Sequence, residues 1–122
     1  MSMDVHREIP APVAVLWAQL AQTRHWPGWG LSIRSVDPAD ASVEPGLRGT
    51  VRTAIGLRLP FEVTEVVPER SWSWRVAGIP ATGHRLEPTA SGTRVTITVP
   101  GWAPFYAPVC AAALRRLERL VT

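Results

Sequence analysis

Apolar and polar positions along this chain repeat with two different periods, and the switches between them mark its elements. Val5 to Ile9 reads as a short strand. Pro12 suits a first helical position, where its missing N–H costs nothing. Val13, Leu16, Trp17 and Leu20 then follow at helical spacing, predicting an amphipathic helix over about Pro12 to Gln22. Arg24 to Gly30 is too rich in Gly and Pro for a long helix and predicts a tight turn or a second short helix. Trp26 and Trp29, three residues apart, can present one aromatic surface there.

From Leu31 to Val99 the period is two. Strands are predicted at Leu31–Val36, Arg48–Ile55, Leu57–Val66, Ser71–Val76, Thr82–Glu87 and Thr93–Val99, separated by Pro- and Gly-containing turns. Short connections favour antiparallel neighbours. One face collects Val51, Thr53, Ile55, Leu57, Leu59, Phe61 and Val63, then Trp72, Trp74, Val76, Leu86, Val95, Ile97 and Val99. The other collects Arg52, Arg58, Glu62, Arg75, Arg85, Glu87 and Arg94, as expected of a sheet with one side in water. These charges read as cross-strand pairs without a catalytic role. The phase slips near Glu65 and Val66, which predicts a β-bulge. A helix over Val109 to Val121 closes the chain, with Ala113, Leu117, Leu120 and Val121 on its apolar side. Strands and helices in this order make the fold class α+β.

Composition narrows the chemistry. At 122 residues, 46% hydrophobic and 19% charged, the chain has the size and make-up of one folded domain spanning 1–122. All 13 basic residues are Arg, so Schiff-base catalysis and a P-loop lysine are excluded. The single Cys110 permits no internal disulfide and reads as a small buried residue. Three scattered histidines offer no metal-ligand spacing, so neither a metal nor another cofactor is expected. The net charge of +3 raises nucleic-acid binding, but the arginines are dispersed and interleaved with Glu, and only Arg115, Arg116 and Arg119 cluster. A solvated surface is the plainer reading. Val95 to Leu114 carries no charge over a length that could span a membrane, yet three prolines and a strand-like start argue against a span. The segment from Met1 to Ile9 lacks the apolar stretch of a signal peptide, so a cytoplasmic location is expected.

Several local patterns occur together in a familiar order. They are Val5–Ile9 followed by Pro12-Val13-Ala14-Val15-Leu16-Trp17, the Trp26-Pro27-Gly28-Trp29 turn, and Glu44-Pro45-Gly46. Val63-Thr64-Glu65-Val66-Val67-Pro68-Glu69-Arg70 follows, then Trp72 and Trp74, His84 and Leu86, and Gly92-Thr93-Arg94-Val95-Thr96. Over nearly its whole length the chain resembles the START-like (SRPBCC) superfamily, which includes the birch-pollen allergen fold. The branch it most resembles is the polyketide cyclase/dehydrase family. The resemblance implies a helix-grip fold: a curved antiparallel sheet of about seven strands around a C-terminal helix, with two short helices after the first strand. It also implies an apolar cavity between sheet and helix. The chain departs from that pattern in a short final helix, its start interrupted by Pro104 and Pro108.

With a cavity implied, the aromatic residues become candidates for its wall. The candidate ligand-binding set is Trp26, Trp29, Phe61, Trp72, Trp74, Leu86, Trp102, Phe105 and Tyr106. The competing reading is that these rings fill a solid core. His84 is the ionisable group in the inner phase of the central strands. Desolvation would keep it neutral, and a neutral imidazole can act as a general base; it can equally be a core histidine bonded to a carbonyl. Glu65 could point inward if the bulge is real, though a solvated Glu65 is the plainer reading. Arg7 is a possible inward charge, and His25 could rim the pocket, with an exposed surface histidine the plainer reading.

The family resemblance then implies a polyketide cyclase/dehydrase-like protein that binds a polyketide, aromatic or lipid-like molecule. In it His84 would move a proton in an aldol-type cyclisation or dehydration, with Tyr106 or an inward Arg holding the enolate oxygen. The alternative is a non-catalytic carrier of a hydrophobic ligand, which needs the cavity and no base. A third reading, a protein-interaction module, would use Arg115, Arg116 and Arg119. Either a monomer or a homodimer is compatible with the sequence.

Overall fold

The computed structural model describes residues 3–122; Met1 and Ser2 lie outside the described residues. Seven strands form one antiparallel sheet: β1 (Met3–Ile9), β2 (Ile33–Asp37), β3 (Arg48–Thr53), β4 (Arg58–Val67), β5 (Ser71–Val76), β6 (Ile79–Thr89) and β7 (Gly92–Val99). Their spatial order is β1-β7-β6-β5-β4-β3-β2, so a meander from β2 to β7 is completed by β1 pairing with β7. The connection from β1 to β2 crosses from one edge of the sheet to the other. It carries α1 (Val13–Ala21), a 3-10 turn at Thr23–His25, and α2 (Trp26–Trp29). The long helix α3 (Ala107–Val121) packs against β1 and β7 and meets α2. The architecture is α+β, a curved sheet gripping a C-terminal helix.

Pro12, expected at the first helical position, is instead the extended N-cap residue of α1, which begins at Val13. Pro108 sits in the first turn of α3, where a proline N–H is not required. Pro108 therefore starts the final helix rather than interrupting it, and α3 begins two residues before the expected Val109 and runs 15 residues, long where a short helix was expected. Pro104 opens a separate 3-10 turn, Pro104–Tyr106. Leu120, expected on the apolar side of α3, is exposed.

Inner-phase residues of the central strands are buried as the alternation predicts: Val51, Phe61, Val63, Trp72, Trp74, Leu86, Val95, Ile97 and Val99. Ile55 and Leu57 are not. They flank the turn at Gly56, beyond the ends of β3 and β4, and Ile55 is 82% exposed. The outer face carries Arg48–Glu62 across β3 and β4, and Arg85 between Asp4 and Glu87. Exposed pairs of this kind contribute little to stability.

The bulge falls where the phase slips. Val63 pairs with Trp74 but Glu65 pairs with Ser73, leaving Thr64 as the extra residue. The inserted residue turns Glu65 out to solvent and returns Val66 to the core side. Of the two readings of Glu65, the solvated one holds. A second irregularity lies between Ser73 and Arg75, which pair with Gly83 and Pro80, so Ala81 and Thr82 together oppose Trp74.

Candidate functional site

A cavity of about 310 Å³ lies between the inner face of the sheet and α3. Val51, Leu59, Trp74 and Ile97 form its sheet wall, while Val109, Cys110 and Ala113 line it from the helix. Trp29 and Ile33 close one side and the β7–α3 connection the other. Leu31, Trp102 and Phe105 line the cavity yet are 38%, 58% and 73% exposed, so they mark its mouth. Among the described residues no Arg, Asp or Glu lines it.

The candidate ligand-binding residues divide into two groups. Trp29, Trp74, Trp102, Phe105 and Tyr106 line the cavity, and so does His84. Trp26, Phe61, Trp72 and Leu86 do not; they are buried in the packed core. Trp26, inserted from α2, stacks on Trp72 with centroids 5.1 Å apart and planes 7° apart. Phe61 meets Trp26 edge-on at 5.6 Å. Trp72 and Trp74 share a phase, yet α2 covers the first and leaves the second facing the hollow. His25 is half-buried and away from the cavity wall. Arg7 is in the inner phase of β1 but lies at the sheet's edge, where it pairs with Glu118 of α3. It does not reach the cavity.

His84 has both ring nitrogens engaged. Nδ1 lies 3.2 Å from the Trp72 carbonyl, which can only accept, so Nδ1 carries the hydrogen. Nε2 is then the acceptor and takes the hydroxyl hydrogen of Thr82 at 3.2 Å. Thr82 Oγ1 in turn accepts from Trp74 Nε1 at 3.1 Å. The imidazole also stacks on Trp72 at 4.0 Å. Burial without a counter-charge pushes its pKa down from 6.5 to about 4, against the opposing effect of the Trp72 hydrogen bond. His84 is neutral at pH 7, a single tautomer held by its neighbours.

A second polar pair lies on the wall. Ser32, just before β2, hydrogen-bonds Tyr106, just before α3. Burial raises the Tyr106 pKa, opposed by the bond from Ser32, and burial pushes the Cys110 thiol up to about 11. Both groups are therefore neutral at pH 7.

Ser32, Thr82, Cys110 and Ala113 were not among the candidates read from the sequence. Thr82 had a signal, because it shares the strand phase of His84 two residues on. Cys110 and Ala113 are three apart on one helix face, a spacing that also fits plain packing. Ser32 falls inside the expected Leu31–Val36 strand, but β2 begins only at Ile33, so the alternation read there does not place it.

No group of three or more potential metal ligands is found among the described residues. Among them, too, no helix is long and apolar enough to cross a membrane. Val95 to Leu114 forms the end of β7, a turn and the first half of α3.

Among solved structures, this fold is similar to that of protein MLL2253 from Mesorhizobium loti, with a TM-score of 0.80 and 21% identity over 98% of this chain and 96% of that one. It is similar to the Aha1 dimer from Colwellia psychrerythraea, with a TM-score of 0.77 and 16% identity over 99% and 96%. DynU16, from the dynemicin biosynthetic locus, matches with a TM-score of 0.69 and 22% identity over 97% of this chain; the match spans 46% of that longer chain. At such identities the likeness shows a shared fold. No curated protein sequence matches the chain. The family described as "Polyketide cyclase / dehydrase and lipid transport" matches residues 1–122, and the chain belongs to that family.

Proposed function

We propose that the protein binds an apolar small molecule, polyketide, aromatic or lipid-like, in the cavity beneath α3, and acts as a binder or carrier. The observation that carries this reading is the cavity itself: about 310 Å³, walled by aromatic and aliphatic side chains and opening between Leu31, Trp102 and Phe105. Ligand sites are commonly of this kind, mostly apolar with a few fixed polar groups. His84 fits a wall residue better than a general base. Its Nε2 lone pair is occupied by Thr82, and a pKa of about 4 makes it a weak proton acceptor at neutral pH. We place the protein in the cytoplasm, in keeping with its free, buried thiol. Either a monomer or a homodimer is compatible with this reading.

Native mass spectrometry of the purified protein tests the proposal. A co-purifying small molecule, lost on denaturation, is expected, together with quenching of Trp74 or Trp29 fluorescence by apolar aromatic probes. No co-purifying mass and no response to such probes would sink it.

A second reading, cyclisation or dehydration of a polyketone, draws support from the family description and from DynU16's place in a biosynthetic locus. On this reading the cavity would hold a chain folded so that reacting carbons meet, which is catalysis by proximity. Formation of a cyclised product from a poly-β-ketone substrate would favour it over the carrier.

A further inference from the structure

The indole N–H groups on the cavity wall are already committed. Trp29 Nε1 donates to the Gln19 carbonyl at 2.9 Å, Trp102 Nε1 to the Pro80 carbonyl at 2.9 Å, and Trp74 Nε1 to Thr82 at 3.1 Å. The Thr82 hydroxyl hydrogen goes to His84 Nε2, and His84 Nδ1–H goes to the Trp72 carbonyl. This half of the wall has no side-chain N–H or O–H left to offer.

Ser32 and Tyr106 are different. Two hydroxyls share one hydrogen bond, so one hydrogen is used and the other is spare. Burial keeps Tyr106 a neutral phenol, so the spare hydrogen remains available at pH 7. The remaining wall hydroxyl, on Thr53, accepts from the Leu57 amide at 3.1 Å and keeps its own hydrogen, but this bond lies exposed at the β3–β4 turn, where water can take that hydrogen. Because no charged side chain among the described residues lines the cavity, a carboxylate entering it would lose its hydration for one hydroxyl donor and no counter-charge.

We infer that the Ser32–Tyr106 pair is the specificity-determining contact of the cavity, selecting an uncharged apolar ligand that carries an oxygen acceptor such as a ketone. This rests on the ligand-binding reading above and adds to it the ligand's charge and the residues that read its polar end. One hydroxyl donates to the ligand oxygen while its partner holds it in place.

Three naphthalenes of matched shape provide the test, by isothermal titration at pH 7. They are 2-acetylnaphthalene, its hydrocarbon analogue 2-isopropenylnaphthalene, and 2-naphthoate. The ketone is expected to bind about threefold to tenfold more tightly than the hydrocarbon, the usual worth of one neutral hydrogen bond. The carboxylate is expected to bind at least ~100-fold more weakly than the ketone. In the double variant Ser32→Ala with Tyr106→Phe, the ketone-to-hydrocarbon affinity ratio should fall to about one. That ratio is read within one folded protein, so any shared loss of affinity cancels. The ranking in the unmodified protein stands even if the double variant fails to fold. Equal binding of ketone and hydrocarbon, binding of naphthoate as tight as that of the ketone, or a ratio unchanged in the double variant would overturn the inference and leave the binding reading in place. Binding of none of the three would overturn both.

Discussion

The interior of this protein has a solid half and a hollow half, built from the same kinds of residue on the same face of one sheet. In the solid half Trp26, Phe61 and Trp72 pack ring against ring, with Leu16, Leu20, Val63 and Leu86 also in the core. In the hollow half Trp29, Trp74 and Tyr106 stand around open space, and Trp102 and Phe105 lie at its mouth. The difference lies in what covers the sheet. The solid half is covered by α2, which inserts a whole indole. The hollow half is covered by α3, which presents Cys110 and Ala113. A large residue on a strand makes core or cavity wall according to the size of the residue facing it.

The two halves also differ at one indole N–H. The three indole N–H groups on the cavity wall are all bonded, whereas Trp72 Nε1 in the solid half is buried with no partner among the described residues. An orphan donor costs about 1–3 kcal/mol. Stacking of the Trp72 ring against both Trp26 and His84 offsets that cost.

Removing the ring that fills the solid half should have the largest effect. Trp26 is fully buried, and its Nε1 donates to the Leu20 carbonyl at 2.9 Å. Trp26→Ala should cost about 3–5 kcal/mol in chemical denaturation, from lost burial, a void and an orphaned carbonyl. A loss below about 1 kcal/mol would mean that this half is not close-packed.

His84 lies on the boundary, stacked on Trp72 yet lining the cavity, and its titration measures how dry that boundary is. Its pKa is about 4 when folded against 6.5 when exposed. Between these values the unfolded chain takes up a proton that the folded chain refuses. Its contribution is therefore fully present above pH 6.5 and is lost as pH falls through 4, by roughly 3 kcal/mol at most. Carboxylates titrate nearby, so the informative quantity is the difference from His84→Gln. Melting temperatures across pH 4 to 7 should fall more steeply on acidification for the unmodified protein than for the variant. Parallel curves would place His84 in contact with water.

Much of the fold was legible because it depends on local pattern. The alternation in β5 put Trp72 and Trp74 on the inner face, and the phase slip after Val63 located the bulge. Glu65 faces solvent, the plainer of its two readings, because a bulge reverses the phase beyond it. Ile55 and Leu57 failed because alternation has no meaning once the chain leaves the ladder at Gly56. The site was less legible for a related reason. Which inner tryptophan faces a hollow depends on where α2 and α3 cross the sheet, and the Ser32–Tyr106 pair joins positions 74 residues apart. No periodicity encodes either.

Added volume should have unequal effects on stability in the two halves, with the smallest beside the hollow. At Gly49 in the solid half, a Cβ would press into the Asp37 backbone carbonyl and sit 2.7 Å from the Phe61 ring. Gly49→Ala adds one carbon and should cost at least about 1–3 kcal/mol, since both backbone and ring must shift to admit it. Ala113 is buried beside the hollow. Ala113→Leu adds three carbons there and should change stability by less than about 1 kcal/mol, because the new contacts replace empty space. The same substitution takes volume from the ligand, so affinity for 2-acetylnaphthalene should fall about tenfold or more, by the steric argument that makes overpacking costly elsewhere. Denaturation and titration of the two variants, compared side by side, check this. If Ala113→Leu destabilised as much as Gly49→Ala, α3 would have to lie closer to the sheet than a cavity of about 310 Å³ allows.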